Sequence, residues 1–208
     1  MKYPEFFASV PGISLRDPLA GFLGAFEDEV IDYAYIDAVK LAGHSCPTVA
    51  GAYWLTRQAL ADLYGRELPE RGAIRVQFNE DRQAGVTGVI ATVVSLLTGA
   101  ATDMGFAGIA GHFGRRHLLQ FNAEVPLEIR FTRTDTGAQV DARANLGRVP
   151  GDPAMPALLQ RCLTSAASAA ERRQFAALWQ DRVRRILLEH GEDASVFEIR
   201  RVAKPAAN

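Results

Sequence analysis

The residues best suited to chemistry lie in the segment Gly43-His44-Ser45-Cys46-Pro47, where an imidazole and a thiol stand two residues apart. Because proline is tolerated in the first turn of a helix, this segment predicts a helix over residues 47–64 that Cys46 caps. The N–H groups gathered at a helix N-terminus stabilise an anion and therefore suit a thiolate. Together with the imidazole of His44, that sulfur would supply half of a tetrahedral site for zinc or a related transition metal.

Three further side chains are candidates to complete such a site. Glu80 follows an alternating strand predicted over 73–78, and a carboxylate at a strand end can bind a cation or move a proton. Asp103 and His112 lie in the glycine-rich segment 103–114, whose small residues allow close approach to a ligand. Two alternatives stay open, namely a solvated turn around Glu80 and a glycine-rich hairpin that merely exposes His112. The predicted metal ligands are His44, Cys46, Glu80, Asp103 and His112.

Aromatic and apolar side chains suggest a second kind of site. Tyr53 and Trp54 lie about two turns after the thiol on the predicted helix, and Met104 and Phe106 lie in the glycine-rich segment. These four residues could wall a pocket for a flat cofactor such as haem, with the imidazole of His44 or the thiolate as axial ligand. The alternative for the aromatic pair is a place in the hydrophobic core, which is where aromatic residues at helical spacing commonly lie.

The hydrophobic periodicity of the remaining chain changes repeatedly between the helical and the strand period. The turn Thr134-Asp135-Thr136-Gly137 has glycine where a positive φ is needed, so it predicts an antiparallel hairpin. The pattern as a whole predicts an α+β fold, with a mostly antiparallel sheet flanked by helices and a helical C-terminal part. The predicted helices are 18–28, 47–64, 86–97, 157–168 and 171–190, and the predicted strands are 29–36, 73–78, 118–121, 126–133, 138–144 and 196–202.

Composition and linkers limit the organisation of the chain and its partners. The rigid linker 149–153 divides it into an α+β metal- or cofactor-binding domain over 1–148 and a helical extension over 149–208, expected to pack on the same domain. A formal net charge of −1 over 208 residues gives no general attraction to nucleic acid or to a membrane surface. Two distant cysteines, with neither a signal-peptide pattern nor a membrane-spanning apolar run, lead us to expect a cytoplasmic protein.

The segment 43–47 resembles the Gly-His-x-Cys-Pro signature of the FmdE-like family, which is named after a component of formylmethanofuran dehydrogenase. The resemblance continues more faintly over roughly residues 30–143. Besides the signature it rests on Gly51, the helix end Ala59-Leu60-Ala61-Asp62-Leu63, the strand end Asn79-Glu80-Asp81, the helix end Leu97-Thr98-Gly99, and the strand Ile129-Arg130-Phe131-Thr132-Arg133 with the turn at Thr136-Gly137.

The resemblance implies a dimeric α+β domain that binds a transition metal through His44 and Cys46. Members of this family typically carry further cysteines, but the corresponding neighbourhoods here, 82–85 and 100–103, contain none. Any metal would therefore need oxygen or imidazole ligands, or would arrive within a cofactor such as haem.

Three hypotheses for the function follow. The first is a metal-dependent enzyme or accessory subunit in which His44 and Cys46 hold a divalent transition metal that acts as a Lewis acid. The second is a haem-binding module, and the third is a homodimeric structural or regulatory protein whose signature residues only pack. The first two imply a small-molecule ligand or cofactor.

Overall fold

The computed structural model describes residues 2–203, in which helices and strands are interspersed along the chain. The strands are β1 (Ile13–Arg16), β2 (Val30–Tyr33), β3 (Ile74–Phe78), β4 (Leu119–Gln120), β5 (Ile129–Arg133), β6 (Gln139–Ala144) and β7 (Phe197–Arg201). The α-helices are α1 (Pro18–Phe22), α2 (Tyr35–Ala42), α3 (Pro47–Tyr64), α4 (Thr87–Thr98), α5 (Met155–Leu163) and α6 (Ala169–Leu188). Short 3₁₀ helices cover Glu5–Ser9 and Leu146–Arg148.

The main sheet has five strands in the order β4-β3-β5-β6-β7. Strands β3 and β4 pair in parallel, and the other neighbours are antiparallel. A separate antiparallel pair joins β1 to β2. The prediction of an α+β fold with a mostly antiparallel sheet is therefore confirmed.

One face of the sheet is apolar because the strands alternate. In β3 the side chains of Ile74, Val76 and Phe78 are buried, while Arg75 between them is exposed. Val76 stands opposite Phe131 of β5, which is also buried. Helix α3 packs on this sheet and on α4 and α6, and so lies at the centre of the core.

The helix that carries the signature begins and ends as predicted. Pro47 occupies its first turn, and Gly65 ends it with a φ of 61°, a left-handed value that favours glycine. Its sequence is apolar on almost every side, and both of its flanks are covered by other elements. A helix packed in this way also fixes the residue that caps it, so the thiol of Cys46 has a fixed position relative to the core.

Two predictions about the N-terminal third were wrong. The helix expected over 18–28 ends at Phe22, because the chain turns at Gly24 with a φ of 72°. The strand expected over 29–36 ends at Tyr33, and α2 begins at once. Its start is held by the carboxylate of Asp37, which accepts a hydrogen bond from the N–H of Ala34 at 2.9 Å.

The C-terminal part shares the core and the sheet of the preceding residues. Strand β7 pairs with β6, and α6 packs on α3. Residues 149–203 therefore add a helical pair and an edge strand to the first part of the fold. No helix within residues 2–203 is long and apolar enough to cross a membrane.

Candidate functional site

Ser45 fixes the signature turn to a distant part of the chain. Its hydroxyl donates to Oε1 of Gln180 at 3.0 Å, and its carbonyl accepts from Nε1 of Trp179 and Nε2 of Gln180, both at 3.1 Å. Because that hydroxyl has only one proton, the phenol of Tyr35 must donate to Ser45 Oγ across their 2.9 Å contact. Burial raises the pKa of Tyr35, which keeps the donor protonated. The backbone between α2 and α3 is thus held from two sides.

His44 is exposed, and one of its ring nitrogens is already engaged. Its Nδ1 lies 2.9 Å from the carbonyl oxygen of Ala42. Because a carbonyl oxygen can only accept, Nδ1 must carry the proton, and in the neutral ring Nε2 then has a free lone pair. This is the arrangement of histidines that bind metals, in which a backbone carbonyl fixes the tautomer and the orientation of the ring.

Cys46 caps α3 with its sulfur. The N–H of Val49 donates to Sγ at 3.4 Å, and the residue is only 8% exposed. The sulfur thereby takes the place of the side-chain oxygen that usually accepts this hydrogen bond at the start of a helix. His44 and Cys46 therefore lie on the same short turn, one facing solvent and the other at the edge of the core.

The other predicted metal ligands lie on segments of the chain apart from the signature turn. Glu80, Asp103 and His112 are all exposed. Residues 109 and 112 exchange two backbone hydrogen bonds of 2.9 Å, so the predicted alternative of a glycine-rich hairpin that exposes His112 describes the structure. Within residues 2–203 the fold gathers no group of three or more histidine, cysteine, aspartate or glutamate side chains that could hold a metal ion.

The four predicted cofactor residues are divided between the core and the surface. Tyr53 is 0% exposed and donates to the carbonyl of Pro11 at 3.0 Å, and Trp54 is 3% exposed. Met104 and Phe106 are exposed on the glycine-rich segment. The two aromatic residues of α3 have no free face for a ligand, so these four side chains do not form one pocket wall.

An apolar cavity of about 700 Å³ borders the signature turn. Gly43 and Ser45, the neighbours of His44 in sequence, are in contact with it. Its other walls come from the N-terminal segment, from α2 and from α6, through Lys2, Tyr3, Pro4, Phe7, Ile36, Val39, Lys40 and Gln180. A cavity of this size and character can hold a small organic molecule.

A buried charge cluster that the sequence did not predict lies elsewhere in the fold. The carboxylate of Asp17, only 2% exposed, accepts hydrogen bonds from Nη1 of Arg71 and, at 2.6 Å, from Nη2 of Arg115. Burial opposes ionisation of Asp17, but these hydrogen bonds and one from the N–H of Ala20 lower its pKa below the ordinary 3.8. Asp17 joins residues 54 and 98 positions away, and no local signal in the sequence indicates such pairs.

Comparison with known proteins does not show which family this chain belongs to. No model of a known protein family matches the chain, and no curated protein matches it. The resemblance to the FmdE-like family thus stays a prediction based on the signature and the residues that follow it.

Proposed function

We propose that this protein binds a divalent transition metal, zinc or a similar ion, through Nε2 of His44 and Sγ of Cys46. The hydrogen bond between Nδ1 of His44 and the Ala42 carbonyl is the observation that carries the proposal, because in the neutral ring it leaves the lone pair on Nε2. The N–H of Val49 at the sulfur supports the second ligand. The family resemblance assigns the metal to the same two residues.

The residues of this turn fit such a metal as one half of its coordination shell. One imidazole and one thiolate leave two tetrahedral positions for water, a small molecule or another chain, since Glu80, Asp103 and His112 do not join them. A zinc ion with open positions supplies Lewis acidity and activates water. The apolar cavity that Gly43 and Ser45 border lies on the same turn as the two proposed ligands and could hold a small organic molecule.

Haem has less support than a simple ion. An axial imidazole is present at His44, but Tyr53 and Trp54 are packed within the core and cannot line a slot for a flat ring. The described cavity at the signature is formed by other residues. The proposal therefore commits to a metal ion with water or a small molecule as the further ligands.

Cobalt(II) tests the metal site directly, because a thiolate bound to cobalt gives a charge-transfer absorption that oxygen and nitrogen ligands do not give. We expect this absorption when cobalt is added to the protein, and its loss in Cys46→Ser. In His44→Ala the affinity for cobalt should fall. The decrease should exceed the roughly 10–100-fold that follows loss of a residue that only hydrogen-bonds to a metal ligand. Titration followed by absorption spectroscopy measures both effects.

Cys162 provides the matched control, since it is the second free thiol of the chain and lies on α5. Cys162→Ser should keep the cobalt absorption unchanged. The proposal fails if cobalt gives no thiolate absorption in the wild type, or if the absorption follows Cys162 instead of Cys46. Two free thiols also fit the reducing cytoplasm that we infer for this protein.

Association of two copies is the second part of the proposal. At the end of α1, Phe22 and the following Leu23 are more than half exposed, and the ring of Phe22 lies near that of Phe113, with centroids 5.1 Å apart. The same glycine-rich segment exposes Met104 and Phe106. Exposed apolar residues grouped in this way mark protein contacts, and a homodimer would cover them.

Substitution of Phe22 by glutamate tests the homodimer. We expect the wild type to have the mass of a dimer in multi-angle light scattering, and Phe22→Glu to have that of a monomer, because the new charge would be buried without a partner. Leu163→Glu is the control, since Leu163 is 76% exposed on α5, away from these segments. A wild type that stays monomeric at every concentration, or a dimeric Phe22→Glu, contradicts this part of the proposal.

A further inference from the structure

A second cleft, of about 320 Å³, opens above the buried charge cluster. Its walls include Arg71 and Arg115 together with Pro18, Leu19 and Phe113, and also His112 and the acidic Glu70. It thus combines two guanidinium groups with an apolar wall, in a part of the fold that the proposed metal site does not use.

The two arginines of this cleft differ in how completely they are bonded. Arg71 uses all three of its nitrogens, donating from Nη1 to Asp17 and from Nε and Nη2 to the carbonyls of Leu97 and Leu96. Arg115 makes only one side-chain hydrogen bond within residues 2–203, from Nη2 to Asp17. Its Nε and Nη1 therefore keep N–H groups available, although the side chain is only 15% exposed. A guanidinium removed from most of its water with free donors is a strong partner for an anion.

The charges around the cleft favour an anion with a single charge. Asp17, Arg71 and Arg115 together carry one surplus positive charge close to the cleft. At the rim, Arg16 pairs with Glu29 and with Glu70. These three residues have a net charge of −1, but they are partly exposed, so solvent and salt screen that charge. A carboxylate has one negative charge and so balances the one surplus positive charge of the cluster. A phosphate dianion would carry one negative charge too many and would lie near the carboxylate of Glu70.

The geometry points to a binding site for a small organic carboxylate, held by the N–H groups of Arg115 that Asp17 does not use, with its apolar body against Pro18, Leu19 and Phe113. A guanidinium donates charge-assisted hydrogen bonds to a carboxylate, and these are stronger than hydrogen bonds between neutral groups. The volume of the cleft fits a single ring or a short chain. This inference is independent of the metal site, because the two sites share no residue, but Phe113 also belongs to the surface that the proposed homodimer would cover.

Benzoate is the probe, since it joins a carboxylate to one apolar ring. We expect saturable binding of benzoate by calorimetry or by amide chemical shifts, and none of benzamide, its neutral counterpart. Arg115→Gln and Leu19→Glu should each weaken benzoate binding by about tenfold or more, the first by removing the charged fork and the second by adding a like charge to the wall. Arg116→Gln is the matched control, because Arg116 is exposed and donates to the carbonyl of Gly105.

Each alternative result contradicts the inference. Absence of saturable benzoate binding, or equal affinity in the wild type and Leu19→Glu, removes the site. Tighter binding of inorganic phosphate than of benzoate overturns the assignment to a carboxylate. Leu19→Glu leaves the buried cluster intact, so it decides the matter even if Arg115→Gln does not fold.

Discussion

Replacement of Asp17 by asparagine is expected to lower the free energy of unfolding by about 3–5 kcal/mol. The substitution preserves the shape of the side chain but removes the charge that faces Arg71 and Arg115. Both arginines would then lie in a largely buried place with no carboxylate between them, and burying an unpaired charge is among the most costly changes in a protein. Urea denaturation of the wild type and of Asp17→Asn at pH 7 measures the difference.

The same pair of proteins should show a pH dependence of known sign. The pKa of Asp17 is lower in the folded state than in the unfolded chain. Its carboxylate therefore stabilises the fold fully at pH values above the unfolded-state pKa, and this stabilisation is lost as the pH falls through the folded-state pKa. The difference between wild type and Asp17→Asn should be constant near neutrality and shrink below about pH 4. Asp32→Asn is the control, since Asp32 is exposed, and it should change stability by less than about 0.5 kcal/mol. A difference that grows in acid would contradict the assigned role of Asp17.

Substitution of Trp54 by alanine should cost about 3–5 kcal/mol of unfolding free energy. Trp54 is 3% exposed, and its Nε1 donates to the carbonyl of Gly191 at 2.6 Å. The indole ring also fills the space above that glycine, where an added Cβ would lie 2.5 Å from the ring atoms. Truncation therefore leaves a cavity where α3 meets the turn after α6, while the carbonyl of Gly191 keeps only the hydrogen bond that Nε2 of Gln58 donates to it. Thermal and urea denaturation of the folded variant give the magnitude.

The variant Trp54→Ala also tests whether the indole ring belongs to the metal site. Cobalt absorption should persist in it, because the proposed ligands lie on the signature turn and not on this ring. Leu163→Ala is the matched control for stability, since the side chain is 76% exposed, and a change within about 0.5 kcal/mol is expected. Loss of the cobalt absorption in a folded Trp54→Ala would connect the indole to the metal site and contradict its purely structural role.

Local signals explain what the sequence predicts well. Pro47 and Gly65 mark the two ends of α3 by backbone chemistry alone, and the Thr136-Gly137 turn determines the hairpin of β5 and β6. The sequence does not predict α2, because Tyr35, Ile36 and Val39 favour strands when considered singly. Their packing decides the outcome, with Tyr35 fully buried and its ring against Tyr53.

The candidate sites show the same division between local and distant information. His44 and Cys46 are neighbours in sequence, so their joint place on one turn is predictable. The hydrogen bonds that hold this turn come from Gln180, 135 positions away, and could not be inferred from one sequence. The same is true of Arg115, whose partner Asp17 has only the local pattern of a helix cap. Spatial pairs of this kind arise from the topology of the whole chain.

The insertion of α5 and α6 between two adjacent strands has a consequence for how the chain folds. Strand β6 is separated in sequence from its partner β7 by both helices, so the two strands can pair only through a long loop. Until they pair, β6 presents an open row of N–H and carbonyl groups, which is the kind of edge that recruits strands from other molecules. Pairing over such a sequence distance is also slow, because the loop must close before the contact is gained. The helical insertion therefore leaves the covering of this edge of β6 to a long-range contact.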